Sequence, residues 1–177
     1  NPLCFLNCLS HLFNTMPPLS HRAPGVIGAA LTTDIYCELI ADTIHVSVPA
    51  MKLLYKNKGK DKISLITDSM RAKGLADGES ELGGQKVFVK GGEARLADGT
   101  LAGSVLRMNL AIKNAAEKVG VPYTDAVDMA TINPAKMIGI DSECGSIAEG
   151  KRADFAVVDS DFNVLMTVRD GKVIYKA

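Results

Sequence analysis

The hexapeptide Ile63-Ser64-Leu65-Ile66-Thr67-Asp68, ISLITD, sets three aliphatic residues in a stretch too short for a helix and closes on a carboxylate. A short apolar run without polar alternation reads as a strand buried on both faces, the kind found in parallel α/β sheets. In such sheets and barrels the ligand lies beyond the C-terminal strand ends, where Asp68 stands. A carboxylate there serves as metal ligand, as general base or as both. Position alone leaves one alternative, the N-cap of a following helix.

Working outward, Val26–Thr32 (VIGAALT) has the same character and predicts a second buried strand. Between the two runs Pro49 opens PAMKLLYKNKG, where Met51, Leu54 and Tyr55 form a helical stripe and Gly59 a stop. Ser104 is expected to cap the helix SVLRMNLAIKNAAEKVG, with Val105, Met108, Ile112, Ala115 and Ala116 on one face and Gly120 at its end. Thr124 and Val127 mark the next helix, and Asn133-Pro134 restarts a short one through Met137.

Two stretches break this rhythm. Leu82–Leu96 alternates Val87, Val89, Ala94 and Leu96 around Gly91-Gly92 and predicts an inserted β-hairpin over about residues 80–97. After Gly145 the pattern is all strand: Phe155–Val158, Val164–Val168 and Val173–Tyr175, separated by Asp159-Ser160-Asp161 and Asp170-Gly171. The expected organisation is α/β: a run of βα units over residues 1–142 and a small β portion over 143–177.

Lys plus Arg equals Asp plus Glu at 20 each, and apolar residues make up 47% of the 177. That balance argues for a globular protein and against partners such as nucleic acid or a membrane surface. No apolar run approaches the roughly 18–20 residues of a bilayer span. The first ten residues, NPLCFLNCLS, lack a basic start and a small-residue cleavage site, so no signal peptide is expected. Cys4, Cys8, Cys37 and Cys144 show no CxxC pair and read as free thiols of a reducing cytoplasm.

His11 closes the first apolar run, and His45 closes another, ELIADTIH. Each is either a ligand or a core histidine bonded to backbone, but two histidines and Asp68 at successive strand ends converge on one face. Arg22, on a stiff loop between Pro17-Pro18 and Pro24, suits a carboxylate or phosphate, with a solvated loop arginine as the alternative. His21 beside it reads as solvent-facing. Residues 96–104, LADGTLAGS, read as a flexible loop running to a helix N-terminus, where backbone N–H groups meet a ligand oxygen.

The segments HLFNTMPPLSHRAPGVIGAAL, ELIADTIHV, LITDSMRAKGLADG, ELGGQKVFVKGGEARLADGTLAGS and NPAKMIGIDSECGSIAEGKRADFAVVD resemble, in order, the C-terminal half of the N-acetylglucosamine-6-phosphate deacetylase family of the amidohydrolase superfamily. The resemblance runs from about His11 to the C-terminus; its closing segment is shared across the superfamily. It implies the C-terminal half of a TIM-like (β/α)8 barrel with an inserted hairpin, plus part of a small β-sandwich. It implies hydrolysis of the acetamide of N-acetylglucosamine 6-phosphate to glucosamine 6-phosphate and acetate.

Carried over residue by residue, His11 looks like a metal ligand and Asp68 like the catalytic acid/base. Asn14, the backbone of Thr15, and Arg22 look like phosphate contacts, and His45 like a substrate-binding histidine. Leu101, Ala102 and Gly103 look like the segment covering the sugar. The implied cofactor is a divalent metal, zinc or iron, and the implied full-length form is a cytoplasmic homodimer.

The sequence departs from the family at Thr15 (usually alanine), Thr43 (usually glycine) and Ser47 (often histidine). The family's remaining ligands, a glutamate and a histidine, precede the HLFN segment and are absent here. A bare (β/α)8 barrel takes about 250 residues, so about half a barrel is expected. Such a half is expected to expose edge strands and an apolar face. An inactive phosphosugar-binding or assembly fragment is the alternative expectation.

Overall fold

The computed structural model describes residues 7–177; residues 1–6, with Cys4, lie outside the described residues. Three short strands, β1 (Cys8–Leu9), β2 (Tyr36–Ile40) and β3 (Ile63–Ile66), form a parallel sheet in the order β1-β2-β3. The register runs from Cys37 beside Ile63 to Ile40 beside Ile66. Helices α1 (Gly25–Thr32) and α2 (Val48–Lys58) make the crossovers. ISLIT is therefore a strand of a parallel sheet, as its unbroken apolar run predicts.

Val26–Thr32 is not the expected strand but helix α1. Seven small and aliphatic residues lack any period that separates a buried strand from a buried helix. Sterics decide it: Gly28 lies so close to Pro24 that a Cβ would meet the proline Cβ at 2.3 Å. Its N–H donates to the Pro24 carbonyl, closing the first turn.

The expected hairpin is larger than its sequence pattern. Strands β4 (Gly78–Leu82), β5 (Gln85–Lys90), β6 (Glu93–Leu96) and β7 (Leu101–Ser104) form one four-stranded antiparallel sheet. Leu101–Ser104 is thus a strand, where residues 96–104 are expected to form a flexible loop. Ser104 caps no helix: its Oγ accepts the Leu106 N–H, and α3 begins four residues later at Met108.

Helix α3 (Met108–Asn114) widens into a π-turn over Ala115–Val119 and ends at left-handed Gly120. Then come α4 (Tyr123–Ala130) and α5 (Ile132–Ile138). Asn133, buried on α5, donates to the carbonyls of Lys60 and Ile63 and so satisfies the start of β3. One core gathers Leu12, Ile40, Val46, Met51, Leu54, Ile63 and Met129 between the parallel sheet and the helices. A second, smaller core lies under the antiparallel sheet, with Met70, Val87, Val89 and Ala102.

Strands β8 (Phe155–Val158), β9 (Val164–Arg169) and β10 (Lys172–Lys176) form the expected C-terminal sheet. It meets the helices where Tyr123 stacks on Phe162, and where Asn109 donates to the Phe162 carbonyl. A groove of about 700 Å³ runs between α3, α4 and β8, and Phe155, Val157, Val173 and Ile174 face outward. No helix among the described residues is long and apolar enough to cross a membrane.

Candidate active site

The three parallel strands end on the same side, and each runs into a left-handed residue. Non-glycine residues at positive φ are uncommon and cluster where function over-determines the backbone. Here His11 (φ 52), Phe13 (φ 75) and Thr15 (φ 57) follow β1, Thr43 (φ 69) follows β2, and Asp68 (φ 49) follows β3. The loops beyond the strand ends thus carry most of the backbone strain of the described residues.

That backbone aims the candidate residues at one another. His11 Nε2 lies 3.3 Å from Asp68 Oδ1. On its other edge, Nδ1 lies 2.6 Å from Ser10 Oγ, and the Ser10 hydroxyl donates to Glu38. The hydroxyl has one hydrogen, so Nδ1–H is the donor to Ser10, and Nε2 is the edge turned to Asp68. Asp68 caps no helix; the segment after it is a series of turns.

An imidazole nitrogen and a carboxylate oxygen turned to one point are the donor types that a divalent ion takes. Two ligands of a tetrahedral zinc-like ion stand about 3.3–3.6 Å apart, the spacing found here. His11 and Asp68 therefore fit as two donors of a divalent ion. They do not complete its shell: the described residues hold no group of three or more His, Cys, Asp or Glu able to bind one.

His45 lies in the loop after β2 with its side chain 5% exposed, Nδ1 being 2.5 Å from Asp42 Oδ2. That hydrogen bond raises the His45 pKa, burial opposes it, and Asp42 and Asp68 add to the rise through their charge, while Arg95 counters it. Burial pushes the Asp42 carboxyl up, but the His45 ring and the N–H groups of His45 and Ile44 hold it below its usual value. Asp68 and His45 thus share one electrostatic neighbourhood.

β7 is tied to the same place by backbone. The Ser104 N–H donates to the Asp68 carbonyl at 3.0 Å, and the Met70 N–H donates to the Ser104 carbonyl at 2.8 Å. A Cβ on Gly103 would stand 3.9 Å from the Asp68 carbonyl oxygen. Leu101, Ala102 and Gly103 therefore border Asp68 as a strand. Asn14 is held beside His11 by its N–H to the His11 carbonyl, and Thr15 is exposed next to it. Arg22 stands apart: it is exposed, as is His21, and no hydrogen bond or ion pair ties it to another described residue.

The model of the amidohydrolase family matches residues 7–174. The chain belongs to that family. N-acetylglucosamine-6-phosphate deacetylase of Bacillus subtilis (strain 168) is 48% identical over 168 residues, which are 94% of this chain and 42% of that protein. N-acetylgalactosamine-6-phosphate deacetylase of Escherichia coli O157:H7 is 44% identical over 157 residues, 88% of this chain and 41% of that one. The crystal structure of N-acetylglucosamine-6-phosphate deacetylase from Thermotoga maritima matches with a TM-score of 0.90 at 42% identity, covering 97% of this chain and 47% of its own. This amidohydrolase chain spans about two fifths of those curated relatives.

Sequence reasoning missed Asp42, Ser10 and Glu38, which orient the two histidines. Asp42 had one visible signal, an acidic residue three positions before a histidine in a non-helical loop. Cys8, Cys37 and Cys144 are free thiols as expected, and burial pushes the Cys8 thiol up to about 11, with Glu38 and Cys37 adding to the rise.

The Asp42–His45 pair makes stability depend on pH. Asp42 is lowered, so its contribution is present above the ordinary carboxylate value and is lost as pH falls through its folded value. His45 is raised, so its contribution is present below the ordinary imidazole value and is lost as pH rises through its folded value. The melting temperatures of the native chain and Asp42→Asn should differ most between about pH 4 and 6.5 and converge on either side. A difference that stays flat from pH 5 to pH 9 contradicts this coupling.

Proposed function

We propose that this chain carries the proton-transfer and phosphosugar-binding half of a deacetylase acting on N-acetylglucosamine 6-phosphate. The observation that carries the reading is the meeting of His11 and Asp68 across 3.3 Å, beyond the ends of β1 and β3, the two strands that flank β2 in the parallel sheet. The relatives' names, deacetylases of N-acetylated hexosamine 6-phosphates, support the substrate class.

In this reading Asp68 takes a proton from the attacking water and returns it to the amine as the C–N bond breaks. Expulsion of an amine needs that proton. Asn14, the Thr15 N–H and Arg22 hold the phosphate, so that binding energy positions the acetamide. His45 contacts the sugar, and Leu101, Ala102 and Gly103 cover it. His11 and Asp68 would hold a divalent metal, zinc or iron, which when bound polarises the acetyl carbonyl and acidifies water. The remaining donors come from outside the described residues.

The parallel strands and α1–α5, within residues 1–142, belong in this reading to half of a (β/α)8 barrel. Residues 143–177 supply part of a β-sandwich, and the complete protein is a cytoplasmic homodimer. A second reading, a phosphosugar-binding fragment without turnover, draws on the incomplete donor set. One assay separates the two: acetate release by the chain with added zinc or ferrous ion, before and after a chelator, on the N-acetylglucosamine and N-acetylgalactosamine 6-phosphates. Chelator-sensitive release supports the deacetylase. Calorimetric binding of the sugar without release supports the second reading, and neither binding nor release overturns both.

A further inference from the structure

The loop after β2 holds its histidine unusually tightly. Asp42 Oδ1 accepts the N–H groups of Ile44 and His45, both at 2.8 Å, and Oδ2 stands 2.5 Å from His45 Nδ1. Both side chains are buried, 6% and 5% exposed. Left-handed Thr43 makes the tight turn that brings the carboxylate under the ring. With Oδ1 taken by two backbone donors, Oδ2 is left for the ring and can only accept. Nδ1 must therefore carry a proton, and Nε2 is the edge left over. The charged groups within reach of the ring from other elements are Asp68, after β3, and Arg95, on β6.

We propose that Asp42 is a positioning residue that fixes the His45 proton on Nδ1 and reserves Nε2 for a hydroxyl of the bound sugar. A hydroxyl is the matching chemistry because it donates to a neutral Nε2 and accepts from a protonated one, so contact survives the ring's titration. The substrate clause rests on the function proposed above; the ring assignment does not.

The test is nitrogen-15 NMR of the histidine rings in the 177-residue chain across pH. The native chain needs no variant to decide the first point. Neutral His45 should show a pyrrole-like Nδ1 and a pyridine-like Nε2; the reverse pattern overturns the proposal.

In Asp42→Asn the two backbone N–H groups keep the amide oxygen, which turns the NH2 toward the ring. That group only donates, so the ring proton should move to Nε2 and His45 should titrate at lower pH than in the native chain. A purely structural role for Asp42 would not exchange the two nitrogens, and an unchanged tautomer in a folded variant overturns the proposal. On saturation with N-acetylglucosamine 6-phosphate the Nε2 signal should move, and affinity should fall about tenfold to a hundredfold in Asp42→Asn. Sugar that binds without moving Nε2 overturns the hydroxyl clause. Absence of sugar binding overturns the proposed function instead, and the ring pattern then decides the positioning role by itself.

Discussion

Asp68→Asn should lower chelator-sensitive acetate release by about 10²- to 10⁴-fold, the usual worth of a positioned acid/base group, while sugar binding stays near native. The amide keeps the size of the carboxylate and can still face His11, but it cannot take a proton from water or return one to the leaving amine. The backbone carbonyl of residue 68, which holds the Ser104 N–H, is untouched, so β7 should stay in place. Steady-state kinetics separate the two losses: failed proton transfer lowers kcat, whereas failed sugar binding raises KM. Loss in KM alone would show that Asp68 binds rather than catalyses. Full retained turnover would remove it from the mechanism and hand the acid/base role to another group.

The residues legible in the sequence were those whose surroundings are apolar and local. Asp68 ends an aliphatic run, so its place just past a strand end follows from period and length. His45 closes ELIADTIH, but β2 stops at Ile40 and the histidine lies five residues on, in the loop. The turns beyond those strands were not legible. Left-handed His11, Thr43 and Asp68 are not glycines, and only the packed core holds them there. Val26–Thr32 misled because an unbroken apolar run is compatible with both elements, and the Pro24–Gly28 approach that selects a helix is a matter of fit. Ser104 misled for a different reason. A serine ahead of an apolar period is a good capping signal, yet here its backbone pairs with Asp68 and Met70 across the chain. Such pairing lies outside any local window. It is also what makes Leu101–Ser104, the end of an expected loop, a strand that borders Asp68.

The second large effect is expected in the core. Leu12 is fully buried and sits between His11 and Phe13, both left-handed. Its N–H donates to the Glu38 carbonyl at 2.9 Å, extending the β1–β2 pairing past the end of β1. With β1 only two residues long, this side chain is the anchor that keeps His11 in place. Leu12→Ala should cost about 2–5 kcal/mol through lost transfer energy and the cavity left behind. For a chain of this size that is a fall of about 4–20 °C in Tm. Leu75→Ala is the control: Leu75 is 69% exposed and its truncation should stay within about 0.5 kcal/mol. The site should respond as well, because a freed Leu12 lets the left-handed turn relax and His11 Nε2 drift from Asp68. The His11 ring signals of a folded Leu12→Ala chain should then lose their dependence on the Asp68 side chain. If the variant melts with the native chain and His11 still senses Asp68→Asn, the strain at positive φ is held by the turn itself, and the apolar core has no part in shaping the site.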